Sequence, residues 1–249
     1  MRTLRHTIPL DTEAALKAIP TVTGTVHKAF KAAAKQAVTG IRQALNKAGD
    51  DDNAKKGKAI ADGLLLPALD DIAAIGDDLS TVAGDAGNLW LAEVKLSGRD
   101  EMFDRVNQRA VNYAKDRGAE LVSGVDDATR NDLADIVSDG LTENVGMDVI
   151  ADRITSAYAF SEKRADLIAR TEIARANQNG VLSGMQEAKS AGVKIKKVWL
   201  PDAEACEECQ GNGDDGAIDL DDNFSSGDDA PPAHPRCECT MASEITEAE

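Results

Sequence analysis

Aromatic residues are scarce in this sequence: Phe, Trp and Tyr make up 3% of its 249 residues, although 42% are hydrophobic. Alanine supplies much of the hydrophobic fraction, and its small side chain fills only thin contacts between closely packed helices. This composition argues against the thick core of a β-sandwich. We therefore expect cores built from helix-on-helix contacts.

Positive charge is also in short supply, because 28 Lys and Arg stand against 44 Asp and Glu and give a net charge of −16. Phosphate backbones repel such a chain, so direct nucleic-acid binding would need a local basic patch. The best candidate patch is the short stretch "KIKK" at 194–197, which we expect on the solvent face of a strand. Direct nucleic-acid binding is therefore not expected.

Long apolar runs are absent, and none approaches the ~18 residues of a membrane span. The opening "MRTLRHTIPLDTEAALKAIP" lacks the long apolar region and the cleavage site of a secretory signal. We therefore expect synthesis in the cytoplasm and no membrane partner. In that reducing compartment, clustered cysteines are more often metal ligands than disulfides.

Recognisable catalytic motifs are missing as well. Two of the three histidines, His6 and His27, stand alone near the start, which excludes most histidine-based catalytic designs. A nucleophile elbow, a phosphate-binding loop and a dinucleotide fingerprint are also absent. An enzyme is not expected.

Helical patterns dominate residues 11–191. Strong helix formers fill 11–48, Gly49 is a predicted C-terminal cap, and 50–58 is predicted to be a polar loop. Further helices are predicted over 59–96 with a break at Pro67, and over 99–117, 126–141 and 147–154, with Gly118 as a pause. The longest helix is expected to begin at Ser161 and to end at Gly192, with a narrow buried stripe.

Charged residues in that last helix, "IARTEIARANQNG" at 168–180, are explained for the most part by surface ion pairs. Asp166 and Arg170 are spaced i, i+4, and Glu172 and Arg175 are spaced i, i+3. Asn177, like the threonine at 171, has no such reason, and a polar contact with the C-terminal module would supply one.

The character of the chain changes after Gly192. "VKIKKVWL" and "GAIDL" have the composition of strands, and turn residues fill the gaps between them. The sequence therefore predicts a mainly α fold with a small C-terminal β and loop module (α+β) and an extended helical N-terminal part. We predict a variable helical region at 1–117 and a second domain at 118–245, composed of helices at 118–191 and the module at 193–245.

All four cysteines lie in that module. Cys206 and Cys209 form a C-x-x-C pair, and "HPRC" adds His234 and Cys237, so that four donors could complete a tetrahedral shell around structural Zn²⁺. Cys239 is a spare donor that could replace His234 or Cys237. Metal binding is favoured, and a disulfide between the two ends and free thiols stay open as alternatives.

A catalytic role for this cluster is less favoured than a structural one. A catalytic zinc ion keeps an open coordination position beside a general base, and Glu207 and Glu208 are expected on a turn without a pocket. A thioredoxin-like role is disfavoured because no helix is expected after C-E-E-C.

Eleven acidic residues and no Lys or Arg lie between 200 and 235. They lack the spacing of a calcium loop, so a solvated acidic loop is expected.

Taken in order, the C-terminal residues resemble the Mu F-like family of phage head-morphogenesis, or minor head, proteins. That family has an Arg-Thr-Glu helix, a Trp before a C-x-x-C, a Phe, and a closing Pro-Pro, His-Pro and Cys-x-Cys. The corresponding positions here are Arg170, Thr171, Glu172, Trp199, Cys206, Cys209, Phe224, Pro231, Pro232, His234, Pro235, Cys237 and Cys239. The resemblance covers roughly residues 118–243, and Glu238 departs from it because the family usually has Arg between the last two cysteines.

The resemblance implies a structural component of a tailed phage head, present in few copies at the portal or in the capsid interior. Such a component is expected to be assembled in the host cytoplasm and to be located in the virion. The implied partners are the portal and major capsid proteins, with an indirect contact to packaged DNA and a role in DNA packaging or exit. A phage-delivered, host-directed effector and a zinc-dependent hydrolase are the alternative functions. We also expect Trp199 to pack on the long helix near Arg170, Thr171 and Glu172.

Overall fold

Helices form most of the computed structural model, which describes residues 3–45, 53–94 and 99–246. The α-helices are α1 (Glu13–Leu45), α2 (Asn53–Asp62), α3 (Gly76–Val94), α4 (Arg99–Thr142), α5 (Met147–Ser156), α6 (Glu162–Ser190) and α7 (Glu207–Asp214). The 3-10 helices are Pro67–Ile75 and Tyr158–Phe160. The strands are β1 (Thr3–Thr7), β2 (Ile195–Leu200), β3 (Ala217–Ile218) and β4 (Thr240–Thr246). The predicted fold class, mainly α with a small β module, is confirmed.

Two helix boundaries differ from the prediction. The segments 99–117 and 126–141 belong to one helix, α4, which at 44 residues is longer than α6 at 29. Gly118 does not interrupt it, since one glycine in a helix interior costs only about 1 kcal/mol. Residues 53–58, predicted as loop, lie in α2. The predicted cap Gly49 lies outside the described residues.

The chain divides into two compact units, and the predicted domains at 1–117 and 118–245 stay a prediction. Unit 1 contains Met1–Thr21, Gly76–Asp116 and Leu167–Glu249, and unit 2 contains Val22–Ile75 and Arg117–Asp166. Helices α1, α4 and α6 therefore contribute residues to both units. The helices at 118–166 and the module at 193–245 fall in different units.

Unit 1 contains a four-stranded antiparallel sheet with the order β1-β4-β2-β3. The predicted strands at "VKIKKVWL" and "GAIDL" are confirmed as β2 and β3. Strand β1 near the N-terminus was not predicted, and it pairs with β4 from Thr3↔Thr246 to Thr7↔Ala242. Lys197 of β2 is fully buried, so its predicted place on a solvent face is wrong.

The main core of unit 1 lies among the sheet, α3, α4 and α6, around Trp90, Val106 and Met185. Helices α3 and α6 approach backbone to backbone. A Cβ added to Gly180 of α6 would lie 2.0 Å from the carbonyl oxygen of Ala83 in α3. Only glycine permits so close an approach.

Helix α6 is buried or half-buried at every position from 172 to 188, so the narrow stripe predicted for it is wrong. Glu172 is 3% exposed, which also contradicts its predicted place in a surface ion pair. This part of the helix is buried on all sides because the sheet and other helices of unit 1 cover it. The order of apolar and polar residues in the sequence does not reveal burial by such neighbours.

The buried polar side chains of α6 bind neighbouring segments of unit 1. Gln178 accepts a hydrogen bond from the backbone N–H of Met241 at 2.8 Å. Asn177 donates to the carbonyl of Pro9 at 3.3 Å, so its partner is not in the C-terminal module. Glu187 pairs with two arginines of α4, Arg105 and Arg109. These contacts satisfy polar groups that would otherwise destabilise the core.

Unit 2 is helical, and its core contains Phe30, Leu69 and Ile72 among other apolar residues. Arg130 of α4 donates to the carbonyl of Ala61, at the end of α2, at 3.0 Å and to the carbonyl of Leu64, just beyond α2, at 2.7 Å. These bonds satisfy carbonyls that a helix end leaves without an intrahelical partner.

Among the described residues, no helix combines the length and the apolar character that a bilayer span requires.

Candidate metal centre

The C-x-x-C pair lies at the start of helix α7, in unit 1. Cys206 is the N-cap residue and is exposed, whereas Cys209 lies one turn further on and is buried. The expectation that no helix follows C-E-E-C is therefore wrong. Glu207 and Glu208 occupy the first turn of α7 and are exposed, a favourable position for acidic residues at the positive end of the helix dipole.

His234 faces this pair with one ring nitrogen. Its Nε2 lies 3.3 Å from the Sγ of Cys206 and 3.4 Å from the Sγ of Cys209. Its Nδ1 lies 2.9 Å from the carbonyl oxygen of Pro235, which can only accept a hydrogen bond. We therefore assign the proton to Nδ1, and the lone pair of Nε2 is left free to bind a metal, an arrangement typical of metal-ligating histidines.

The closing "HPRCEC" segment brings the other two sulfurs to the same place. The Sγ atoms of Cys237 and Cys209 are 3.6 Å apart. Arg236, between His234 and Cys237, has a positive φ of 65°, which bends the chain so that both neighbouring donors turn inward. Cys237 and Cys239 are buried, and all four cysteines are free thiols.

The five donors form two groups that share one atom. Cys206, Cys209 and His234 make the first group, and Cys209, Cys237 and Cys239 make the second, with the ligand atoms of each group within 4.8 Å of one another. The Sγ of Cys209 therefore lies at the centre of the cluster. The sequence had placed Cys206, Cys209, His234 and Cys237 around one ion, with Cys239 as a spare donor, and had given no special role to Cys209.

The spacing of these donors suits a tetrahedral ion. Bonds of about 2.3 Å to sulfur and 2.1 Å to nitrogen separate two sulfurs by about 3.8 Å and a sulfur from a nitrogen by about 3.6 Å. The three distances above, 3.3, 3.4 and 3.6 Å, come within a few tenths of an ångström of those values. The donor pairs that these three contacts join are therefore spaced for a tetrahedral ion, and a fourth donor would have to move in from the other group.

The thiols differ in how readily they ionise. A hydrogen bond from the backbone N–H of Cys209 lowers the pKa of the exposed Cys206 thiol. Burial raises the pKa of Cys209 and of Cys237. The hydrogen bond to Pro235 raises the pKa of His234. A metal ion would compete with protons for these donors, so its affinity should fall as the solution becomes more acidic.

A small hydrophobic cluster surrounds the sulfurs and contains Trp199. The indole packs edge-on to Phe224 at 5.2 Å between ring centroids, and the same cluster includes Cys209, Cys237 and Cys239. No residue of α6 belongs to this cluster. Trp199 thus packs on Phe224 and the sulfurs within the C-terminal module, and its packing near Arg170, Thr171 and Glu172 stays a prediction.

The α6 motif residues lie beside the closing segment. Arg170 and Thr171 line a cavity of about 400 Å³ in unit 1, together with Arg236, Cys237 and Glu238. The Thr171 hydroxyl donates to the Leu167 carbonyl of its own helix at 2.8 Å, and Glu172 is buried. Two of the three motif residues are thus close to a metal-ligand candidate without being ligands.

A separate cavity of about 220 Å³ opens at the cysteines. Acidic residues at positions 202, 204 and 238, and Arg236, line it together with the candidate ligands. The acidic residues of the loop remain largely exposed, which agrees with the predicted solvated loop. They surround the cluster with negative charge, which favours a bound cation.

A family model described as "Phage Mu protein F like protein" matches residues 131–242. The matched segment contains the α6 motif, Trp199 and all five candidate ligands. The match therefore supports the phage Mu F-like family for this chain. No curated protein and no solved structure matches it.

Proposed function

We propose that this protein is a structural minor head protein of a tailed phage, acting in head assembly at the portal or in the capsid interior. The observation that carries the proposal is the family match over residues 131–242, which suggests a phage head-morphogenesis protein. The portal and major capsid proteins are the proposed partners. The virion is the proposed location, and assembly takes place in the host cytoplasm.

We also propose that the C-terminal module is stabilised by one structural Zn²⁺ ion. Sulfur and imidazole donors at tetrahedral spacing are the ligands that zinc prefers in proteins. The module is small and rich in acidic residues, and small modules of this kind usually need a metal or a disulfide for stability. The ion would hold the start of α7 and the closing segment 234–239 together.

Two features favour a structural centre over a hydrolase. The two groups together contain five protein donors, more than the four positions of a tetrahedral ion, so a donor of one group can complete the shell of the other in place of water once it moves within bonding distance. The carboxylates adjacent to the candidate ligands in sequence, those of Glu207, Glu208 and Glu238, are all exposed. A catalytic zinc ion instead needs an open position and a general base placed beside it.

Quantitative mass spectrometry of purified particles tests the proposed function. We expect this protein in particles at far fewer copies than the major capsid protein and at a constant ratio to the portal protein. Its presence in infected-cell extract and its absence from particles would contradict the proposal.

A pair of variants connects the metal centre to assembly. Cys209→Ser removes the donor shared by both groups and should lower incorporation into particles, because the module loses its metal. Glu207→Gln changes an exposed side chain on the same helical turn and is the matched control that should incorporate normally.

A further inference from the structure

The C-x-x-C pair has a feature that a purely structural zinc site does not require. Cys206, at the N-cap of α7, is exposed, whereas Cys209 is buried. Their sulfurs belong to the same group of ligand atoms. A solvent-accessible sulfur at a helix N-terminus, with a second sulfur one turn away, is the arrangement that supports thiol–disulfide exchange. The cavity of about 220 Å³ at this place gives a small molecule access to the exposed sulfur.

We propose that the metal centre is released by oxidation, through exchange between Cys206 and a low-molecular-weight disulfide and closure of a Cys206–Cys209 disulfide. This inference rests on the proposed zinc site. It adds a redox modification site that the structural role alone does not include.

The exchange has two steps. The Cys206 thiolate attacks one sulfur of the small disulfide, which breaks that S–S bond, forms a mixed disulfide and releases one small thiolate. The Cys209 thiolate then attacks the Cys206 sulfur and releases the second small thiolate. The two protein thiolates lose two electrons, the small disulfide gains them, and zinc leaves as Zn²⁺ without changing its oxidation state.

The position of Cys209 explains why the ion would leave. Because Cys209 is the one donor common to both groups, its oxidation removes a ligand from each of them. His234, Cys237 and Cys239 would remain, and these three do not form a group of ligand atoms within 4.8 Å among the described residues. Neither group then keeps three donors.

The new disulfide would not replace the structural effect of the metal. It closes a loop of only a few residues within α7, so it constrains the unfolded chain little. The link between α7 and the closing segment would be lost, and Arg236 and Cys237 of that segment also line the larger cavity beside α6. Oxidation should therefore loosen the closing segment, whereas a disulfide between the two ends would tighten it.

The test uses the full chain with zinc bound, oxidised glutathione as the disulfide and a chromogenic zinc chelator to follow release. The expected result is loss of the bound zinc, a Cys206–Cys209 disulfide in peptide mapping, and faster proteolysis within 234–239. A dithiol reductant with added zinc should restore the starting state. Glu207→Gln, which leaves all five donors intact, should release zinc with the same disulfide.

The outcomes separate this inference from the proposed zinc site. Protein that holds no zinc before oxidant is added, and takes up none, overturns the zinc site and with it the release. Zinc that is present and is not released overturns the exchange alone. A disulfide that joins Cys206 or Cys209 to Cys237 or Cys239 also overturns the exchange, because it would connect the two ends of the module.

Discussion

Replacing Gly180 with alanine tests the backbone contact between α3 and α6 on which unit 1 depends. The added Cβ would lie 2.0 Å from the Ala83 carbonyl oxygen and 2.9 Å from its Cα, and ordinary van der Waals contact begins near 3.4 Å. Backbone atoms cannot rotate away, so the helices must separate by more than an ångström. The close packing around them would be disrupted.

The magnitude follows from two opposing effects. Overpacking costs ~1–3 kcal/mol, and we expect the upper end here because the clash is with backbone. Alanine in place of glycine in a helix interior contributes about 1 kcal/mol in the opposite direction. The net loss is then about 2 kcal/mol, or ~4–8 °C in melting temperature for a chain of this size.

Gly211→Ala is the matched control within unit 1, because a Cβ at Gly211, inside α7, would meet only the Ser225 side chain, at an ordinary contact distance of 3.6 Å. It should raise stability by about 1 kcal/mol, from helix propensity alone. Both tryptophans, Trp90 and Trp199, are buried in unit 1, so their fluorescence during urea unfolding reports on that unit. Equal or greater stability of Gly180→Ala by this measure would refute the proposed α3–α6 contact.

Three further substitutions test other buried polar groups, each by urea unfolding with the exposed Glu13→Gln as a control that should change little. Glu187→Gln should lower the free energy of unfolding by ~1–3 kcal/mol because the Glu187 carboxylate, 3% exposed, pairs with two arginines. An unchanged free energy of unfolding would contradict this prediction. Gln178→Leu should lose a similar ~1–3 kcal/mol because the Met241 N–H is left without its acceptor, and unchanged stability would show that the bond is dispensable. Burial lowers the pKa of Lys197, so the unfolded chain binds that proton more tightly. The free energy of unfolding of the wild type should therefore rise relative to that of Lys197→Met between two pH values, the lowered pKa of Lys197 in the folded chain and its value of about 10.4 in the unfolded chain. A decrease of this difference with rising pH would contradict the prediction.

The sequence predicted the class of the fold and the residues of the candidate site better than it predicted packing. The C-x-x-C pair and "HPRC" can be recognised because metal ligands follow characteristic spacings. The central position of Cys209 could not be recognised, since it depends on how Cys206 and the closing segment approach in space. Strand β1 was missed because five residues carry too weak a pattern, and its partner β4 is at the other end of the chain.

Burial was the property least accessible from the sequence. Lys197 was assigned to a solvent face because lysine is mostly exposed in proteins. In the fold its ammonium donates to the Asp229 carbonyl at 2.8 Å and lies 5.3 Å from the centroid of the Phe224 ring. Similarly, the polar residues of α6 indicated a surface, whereas Asn177, Gln178 and Glu187 each find a partner inside unit 1. A pattern of polar residues does not reveal whether tertiary partners are present.

The central claim is that one Zn²⁺ holds the C-terminal module together. Native mass spectrometry of protein purified without chelator, paired with its melting temperature before and after metal removal, tests it most directly. We predict about one zinc per chain, a lower melting temperature after removal, and loss of both the zinc and the added stability in Cys209→Ser but not in Glu207→Gln. Protein that carries no zinc, has four free thiols and melts at the same temperature with and without chelator would contradict the claim.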